Sequence, residues 1–134
     1  MKRAIILLAL SIATIGLYAQ KNRVEVLYFK AQLPCCQGRA CNNLEADVKG
    51  VIEKNFAGKA VTFKQIPLAD EANKALVEKC NAKSQTVVLV TTKKKKETSV
   101  DVSDIVRKYA RTGDKTAFEK ELTGKINEEL GIKN

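Results

Sequence analysis

Apolar and polar positions alternate with two periods along this chain. Val24-Glu25-Val26-Leu27-Tyr28-Phe29 is rich in strand formers and predicts a first β-strand. From Asn42 to Phe56 the period changes, with Leu44, Val48, Val51, Ile52 and Phe56 at helical spacings and charges between them. Gly58 suits the stop of that helix. Ala60 to Leu68 holds Val61, Phe63 and Ile66 in near-alternation and predicts a second strand. Asp70 is placed to cap a helix over Glu71 to Cys80, and Asn81 suits the left-handed turn that ends it. Thr86-Val87-Val88-Leu89-Val90-Thr91 is a continuous β-branched run, the pattern of a strand buried on both faces.

After that strand come four lysines, Lys93 to Lys96, which read as a solvated hairpin tip. Glu97 to Val102 then returns as an antiparallel partner. Ser103 is placed to cap a short helix through Ala110. Asp114 caps a final helix with Phe118, Leu122, Ile126 and Leu130 four apart on one face. The order strand, helix, strand, helix, strand, strand, helix, helix opens with a parallel pair and a right-handed crossover. It predicts an α/β domain: a four-stranded mixed sheet flanked by helices on both faces.

The 134 residues allow one domain, and the first nineteen are set apart from it. Lys2 and Arg3 precede the uncharged apolar run Ala4 to Leu17, and Ala19-Gln20 offers a cleavage point. Residues 1–19 read as a secretory signal peptide and 20–134 as the domain, with an uncleaved anchor as the other reading. The expected location is periplasmic or secreted, with no stable membrane insertion after cleavage. Removing Lys2 and Arg3 lowers the formal net charge from +9 to +7, since residues 1–19 hold no acidic group. The basic balance favours an acidic partner or an anionic surface. No aromatics interleave the lysine run, so nucleic acid is not expected as a partner.

The chain contains no histidine, which removes His-assisted nucleophiles and every His-containing metal site. Its chemistry therefore centres on four cysteines. Three are clustered in Leu33-Pro34-Cys35-Cys36-Gln37-Gly38-Arg39-Ala40-Cys41, between the first strand and the first helix. A helix N-terminus favours thiolate over thiol, and Arg39 adds a positive charge nearby. Cys35 or Cys36 is expected to attack a substrate disulfide and Cys41 to resolve it. A vicinal Cys35–Cys36 bond fits disulfide geometry poorly, whereas a Cys36–Cys41 loop is expected to close without that strain. Cys80, at the end of the second helix, is expected to be a buried structural thiol, or else a partner for Cys35 or Cys36. A stabilising disulfide and a three-thiolate site for a soft metal or metalloid are the competing readings of the cluster. No cofactor and no dedicated metal site are expected.

With cysteines after its first strand, this order resembles the thioredoxin fold across almost the whole mature chain. The chain is most similar to small bacterial thioredoxin-like proteins of the family labelled nitrophenyl compound nitroreductase subunit. The matching residues are Tyr28-Phe29, Cys35 to Cys41, Pro67 to Lys79 and Tyr109-Ala110-Arg111. The resemblance implies an exported thiol–disulfide oxidoreductase acting on protein disulfides, with a membrane thiol-transfer partner supplying electrons. The alternative is a non-catalytic binding module on the same fold. The chain departs from the family pattern in four ways. The two-residue Cys-x-x-Cys spacer is longer. The Trp-Cys-Gly-Pro-Cys motif is absent. The first strand carries no carboxylate near its motif end. Thr86 stands where a cis-proline would fall, and it could offer a hydroxyl and backbone groups to a thiol. A cis peptide is not expected there, because that form is costly without proline.

Overall fold

The computed structural model of the protein describes residues 22–32 and 35–133, and for residues 35–39 and 41 the backbone alone. The signal-peptide reading of residues 1–19 lies outside the described residues. Among the described residues, no helix is long and apolar enough to cross a membrane.

Strands β1 (Arg23–Lys30), β2 (Val61–Pro67), β3 (Val87–Lys93) and β4 (Lys96–Asp101) form one sheet in the order β2-β1-β3-β4. β1 pairs in parallel with β2, Val24 opposite Val61 and Phe29 opposite Ile66. β3 runs antiparallel to both β1 and β4. The expected mixed four-stranded α/β sheet is therefore present. Its most apolar strands, β1 and β3, lie in the middle, where both faces are covered. β4 is an edge strand, mostly exposed and polar, and its charges discourage pairing with another chain.

The pleat of β1 sorts its side chains between two clusters. Val24, Val26 and Tyr28 join the larger one, under helix α1 (Cys35–Phe56), α3 (Ser103–Thr112) and α4 (Lys115–Leu130). Leu27 and Phe29 join Ile66, Val88 and Val90 on the other face, where Leu76 and Val77 of α2 (Lys74–Lys79) pack. The larger cluster holds the residues expected to face inward, including Leu44, Val48, Phe118, Leu122 and Ile126.

The caps divide into those that formed and one that did not. Asp70 accepts from the Ala72 N–H at 3.0 Å and opens a 3₁₀ turn, Glu71–Asn73, ahead of α2. Asp114 accepts from the Ala117 N–H at 2.9 Å and opens α4. Ser103 is not a cap: it is the first residue of α3, and its Oγ accepts the buried Val87 N–H at 2.9 Å. A strand sixteen residues away claims that hydroxyl, because its own N–H would otherwise be orphaned. α3 runs on to Thr112 and stops at Gly113, whose φ of 67° suits glycine.

Candidate functional site

β1 and β2 end together, and the carboxyl ends of parallel strands are where α/β sheets usually place ligands. Three segments meet there. The Leu68 N–H donates to the Lys30 carbonyl, the Phe29 N–H to the Thr86 carbonyl, and the Gln85 N–H to the Phe29 carbonyl, each at 2.9 Å. From Lys30 the chain passes through residues 31–34 into α1, which begins at Cys35.

That start corrects the expected boundary. The amphipathic helix was expected from Asn42, with Cys35 and Cys36 in a loop before it and Cys41 at or in its first turn. Its backbone is helical from Cys35, so Cys35, Cys36 and Cys41 all lie within its opening turns. Apolar periodicity begins only at Leu44, and Gly38 interrupts the segment, so pattern alone placed the start late. Pro34, immediately before the first helical residue, was the available signal, since proline is well tolerated where a helix begins.

A helical backbone changes what the cluster can do. Regular helix geometry separates the Cα atoms of Cys36 and Cys41 by about 9 Å, and those of Cys35 and Cys41 by about 10 Å. A disulfide requires less than about 7 Å. The expected unstrained Cys36–Cys41 closure therefore requires the start of α1 to unwind. The three Cα atoms also spread around the helix axis, at successive angles of about 100° and 140°. The side chains of Cys35, Cys36, Arg39 and Cys41 lie outside the described residues.

The loop before β3 carries conformational strain. Gln85 has a φ of 65°, an uncommon backbone state for a residue with a Cβ. Thr86 is buried, and its polar groups are committed locally: its Oγ1 accepts from the Lys83 N–H at 2.9 Å, its N–H donates to the Lys83 carbonyl at 3.1 Å, and its carbonyl accepts from Phe29. Thr86 thus locks the turn, and its backbone is not free for a thiol. No peptide bond among the described residues is cis. Ser84 escaped sequence reasoning. Its Oγ is buried, with no hydrogen-bond partner among the described residues. Nothing in the sequence separates this serine from an ordinary loop residue.

A second unforeseen group is the ion pair between Lys30 and Glu45, at 2.6 Å and only a quarter or less exposed on either side chain. Gln65 donates to the same Glu45 oxygen at 3.4 Å. Glu45 lies one helical turn beyond Cys41, so the pair ties the end of β1 to the helix that carries the cysteines.

Cys80 is not brought to this group. It is half-buried and free, packed with Leu76, Val77 and Ala82 against the smaller apolar cluster. α1 covers the opposite face of the sheet. Cys80 therefore packs on the face of the sheet that the apolar stripe of α1 does not cover. Desolvation pushes the Cys80 thiol above its ordinary pKa, with the Lys79 ammonium pulling the other way. That is the state of a packing thiol, not an activated one.

No protein-family model, no curated protein and no solved structure matches this chain.

Proposed function

We propose that this chain is an exported, thioredoxin-like thiol–disulfide oxidoreductase. One observation carries the reading: a cluster of cysteines opens the long helix that follows the central strand of a β2-β1-β3-β4 sheet. The unpaired N–H groups of a helix's first turn, together with its dipole, stabilise a thiolate there. The strained Gln85–Thr86 segment hydrogen-bonds to the end of that same strand. A substrate disulfide would approach at this end of the sheet.

In the proposed cycle a thiolate of Cys35 or Cys36 attacks one sulfur of a substrate disulfide. A mixed disulfide forms, and the first substrate sulfur leaves as a thiolate that takes up a proton. Cys41 then attacks the mixed disulfide and releases the second substrate thiol. The substrate gains two electrons, and the protein is left with a disulfide that a membrane thiol-transfer partner must reduce. The second step brings Cys41 toward Cys35 or Cys36, so the first turns of α1 must open during it. The signal-peptide reading of residues 1–19 supports a periplasmic or secreted location, where protein disulfides are abundant.

Timed alkylation at neutral pH, read by mass spectrometry, tests the proposal. At least one of Cys35, Cys36 and Cys41 should react faster than a model thiol, and Cys80 slower. If all three react no faster than the model thiol, the redox reading fails.

The wide Cα separation on a continuous helix favours a second reading, a non-catalytic module of the same fold. That reading predicts no turnover in an insulin-reduction assay.

A further inference from the structure

The opposite end of the sheet carries the positive charge that the redox reading leaves unused. β1 begins there, and its register sets Arg23 opposite Thr92, beside the β3–β4 turn. Lys93 pairs with Lys96 across that turn, and Lys94 and Lys95 form its tip. Three carboxylates near this turn in space have partners: Glu97 holds Lys79 at 2.9 Å, Glu128 holds Lys125 at 2.8 Å and also feels the charge of Lys93, and Glu129 accepts the Thr91 hydroxyl at 2.7 Å. Lys94, Lys95 and Lys96 are exposed and form no ion pair with another described residue.

The turn itself argues that this charge is retained for a purpose. Lys94 and Lys95 have φ values of 45° and 68°. A two-residue hairpin turn with both φ positive favours Asn-Gly, because a Cβ is crowded in that conformation. Two lysines there impose conformational strain, and they contribute charge that the fold does not use.

An apolar edge and the chain's entry point adjoin the lysines. Ile132 is exposed to 45%, the exposed large apolar side chain among the described residues. It lines a shallow cavity with Asn22, Lys59 and Leu130, and Asn22 anchors this corner by donating to the Leu130 carbonyl at 3.1 Å. The domain's chain enters here through Asn22, next to Arg23 at the start of β1.

We propose that this end, with the Lys93–Lys96 turn at its centre and Ile132 at its edge, docks on an anionic lipid surface. Lysines near such a surface act additively, each raising partition about five-fold, while an exposed apolar side chain reaches into the interfacial region. The cysteine-bearing start of α1 lies at the other end of β1, about 25 Å away along eight extended residues. Docking in this way turns the start of α1 away from the lipid.

Sedimentation of the full chain with vesicles tests this. Vesicles of phosphatidylcholine alone are compared with vesicles of phosphatidylcholine and phosphatidylglycerol in equal parts. Every variant carries the same residues 1–21, so a difference in the ratio of the two partition coefficients between wild type and variant reports the turn and not the N-terminal segment. The double variant Lys94→Asn/Lys95→Gly suits the turn better, so its melting temperature should hold or rise. Its anionic-to-neutral ratio should fall about 25-fold. Lys94→Arg/Lys95→Arg keeps the charge and should keep the ratio. The proposal is overturned if the wild-type ratio is near one, or if the Asn-Gly variant retains the wild-type ratio. Lysine-dependent binding to heparin or single-stranded DNA without a preference for anionic vesicles also overturns it, and assigns the face to an acidic macromolecule.

Discussion

Replacing Ser103 by alanine isolates one long-range hydrogen bond that holds the start of β3. Val87 is fully buried and Ser103 is 1% exposed, so water cannot replace the lost hydroxyl. The Val87 carbonyl keeps its bond from the Val102 N–H at 2.9 Å, but its N–H loses the Oγ acceptor. A buried donor left without a partner costs about 2 kcal/mol. Alanine is the better helix former at the first position of α3, which returns about 0.5 kcal/mol. The net expectation is a loss of about 1.5 kcal/mol, or a melting temperature about 6 °C lower for a domain of this size. Urea denaturation should show a lower midpoint with an unchanged slope, because the surface exposed on unfolding is the same. Hydrogen exchange at the Val87 amide should accelerate more than at Leu89, one pleat further along the strand. Asp101→Ala is the control: it removes the acceptor of the Ser103 N–H from a part-buried bond of 2.8 Å, and should leave exchange at the Val87 amide unchanged relative to Leu89. A Ser103→Ala protein as stable as wild type, with Val87 still protected, would refute the assignment of that hydroxyl to β3.

Two further outcomes follow from the same geometry. Gln85→Gly relieves a left-handed backbone at φ 65° and should stabilise the protein by about 1 kcal/mol in urea titrations; a lower midpoint would mean that the Gln85 side chain contributes more than its strain costs. The Tyr109 hydroxyl donates to Asp47 Oδ2 at 2.9 Å, and this bond, then desolvation, raises its pKa above the ordinary 10.0. The folded protein therefore holds that proton more tightly than the unfolded chain does. The resulting stabilisation is complete below pH 10 and is lost as pH climbs through the raised value. Stability measured from pH 9 upward should fall more steeply for wild type than for Tyr109→Phe, and parallel curves would remove the Asp47 contact from the account.

Short-range physics was legible in the chain. The alternation in β1, the β-branched run of β3 and the four-residue stripe of α4 each name a buried face, because side-chain direction follows from the local period alone. Asp70 and Asp114 were legible as caps, because a cap's partner lies two or three residues away. The lysine run was legible as a turn, since four adjacent charges cannot enter a core. The expected Cys80 packing thiol is a half-buried one, packed where the second helix meets the sheet.

Tertiary structure decided everything that depended on a distant partner. Ser103 has a cap's sequence context, yet its hydroxyl serves a strand, because burial of the Val87 N–H outweighs a local bond. Lys30 with Glu45, and Tyr109 with Asp47, are pairings across fifteen and sixty-two residues that no local pattern announces. The cysteines were visible as a cluster, but whether they share a loop or a helix was not. Helical hydrogen bonds propagate cooperatively from neighbouring turns, so the long amphipathic body of α1 can extend into a start with no apolar period of its own. Strand register likewise set Arg23 beside the lysine turn at one end of the sheet and left the start of α1 at the other, an arrangement set by pairing across the sheet and invisible in linear order.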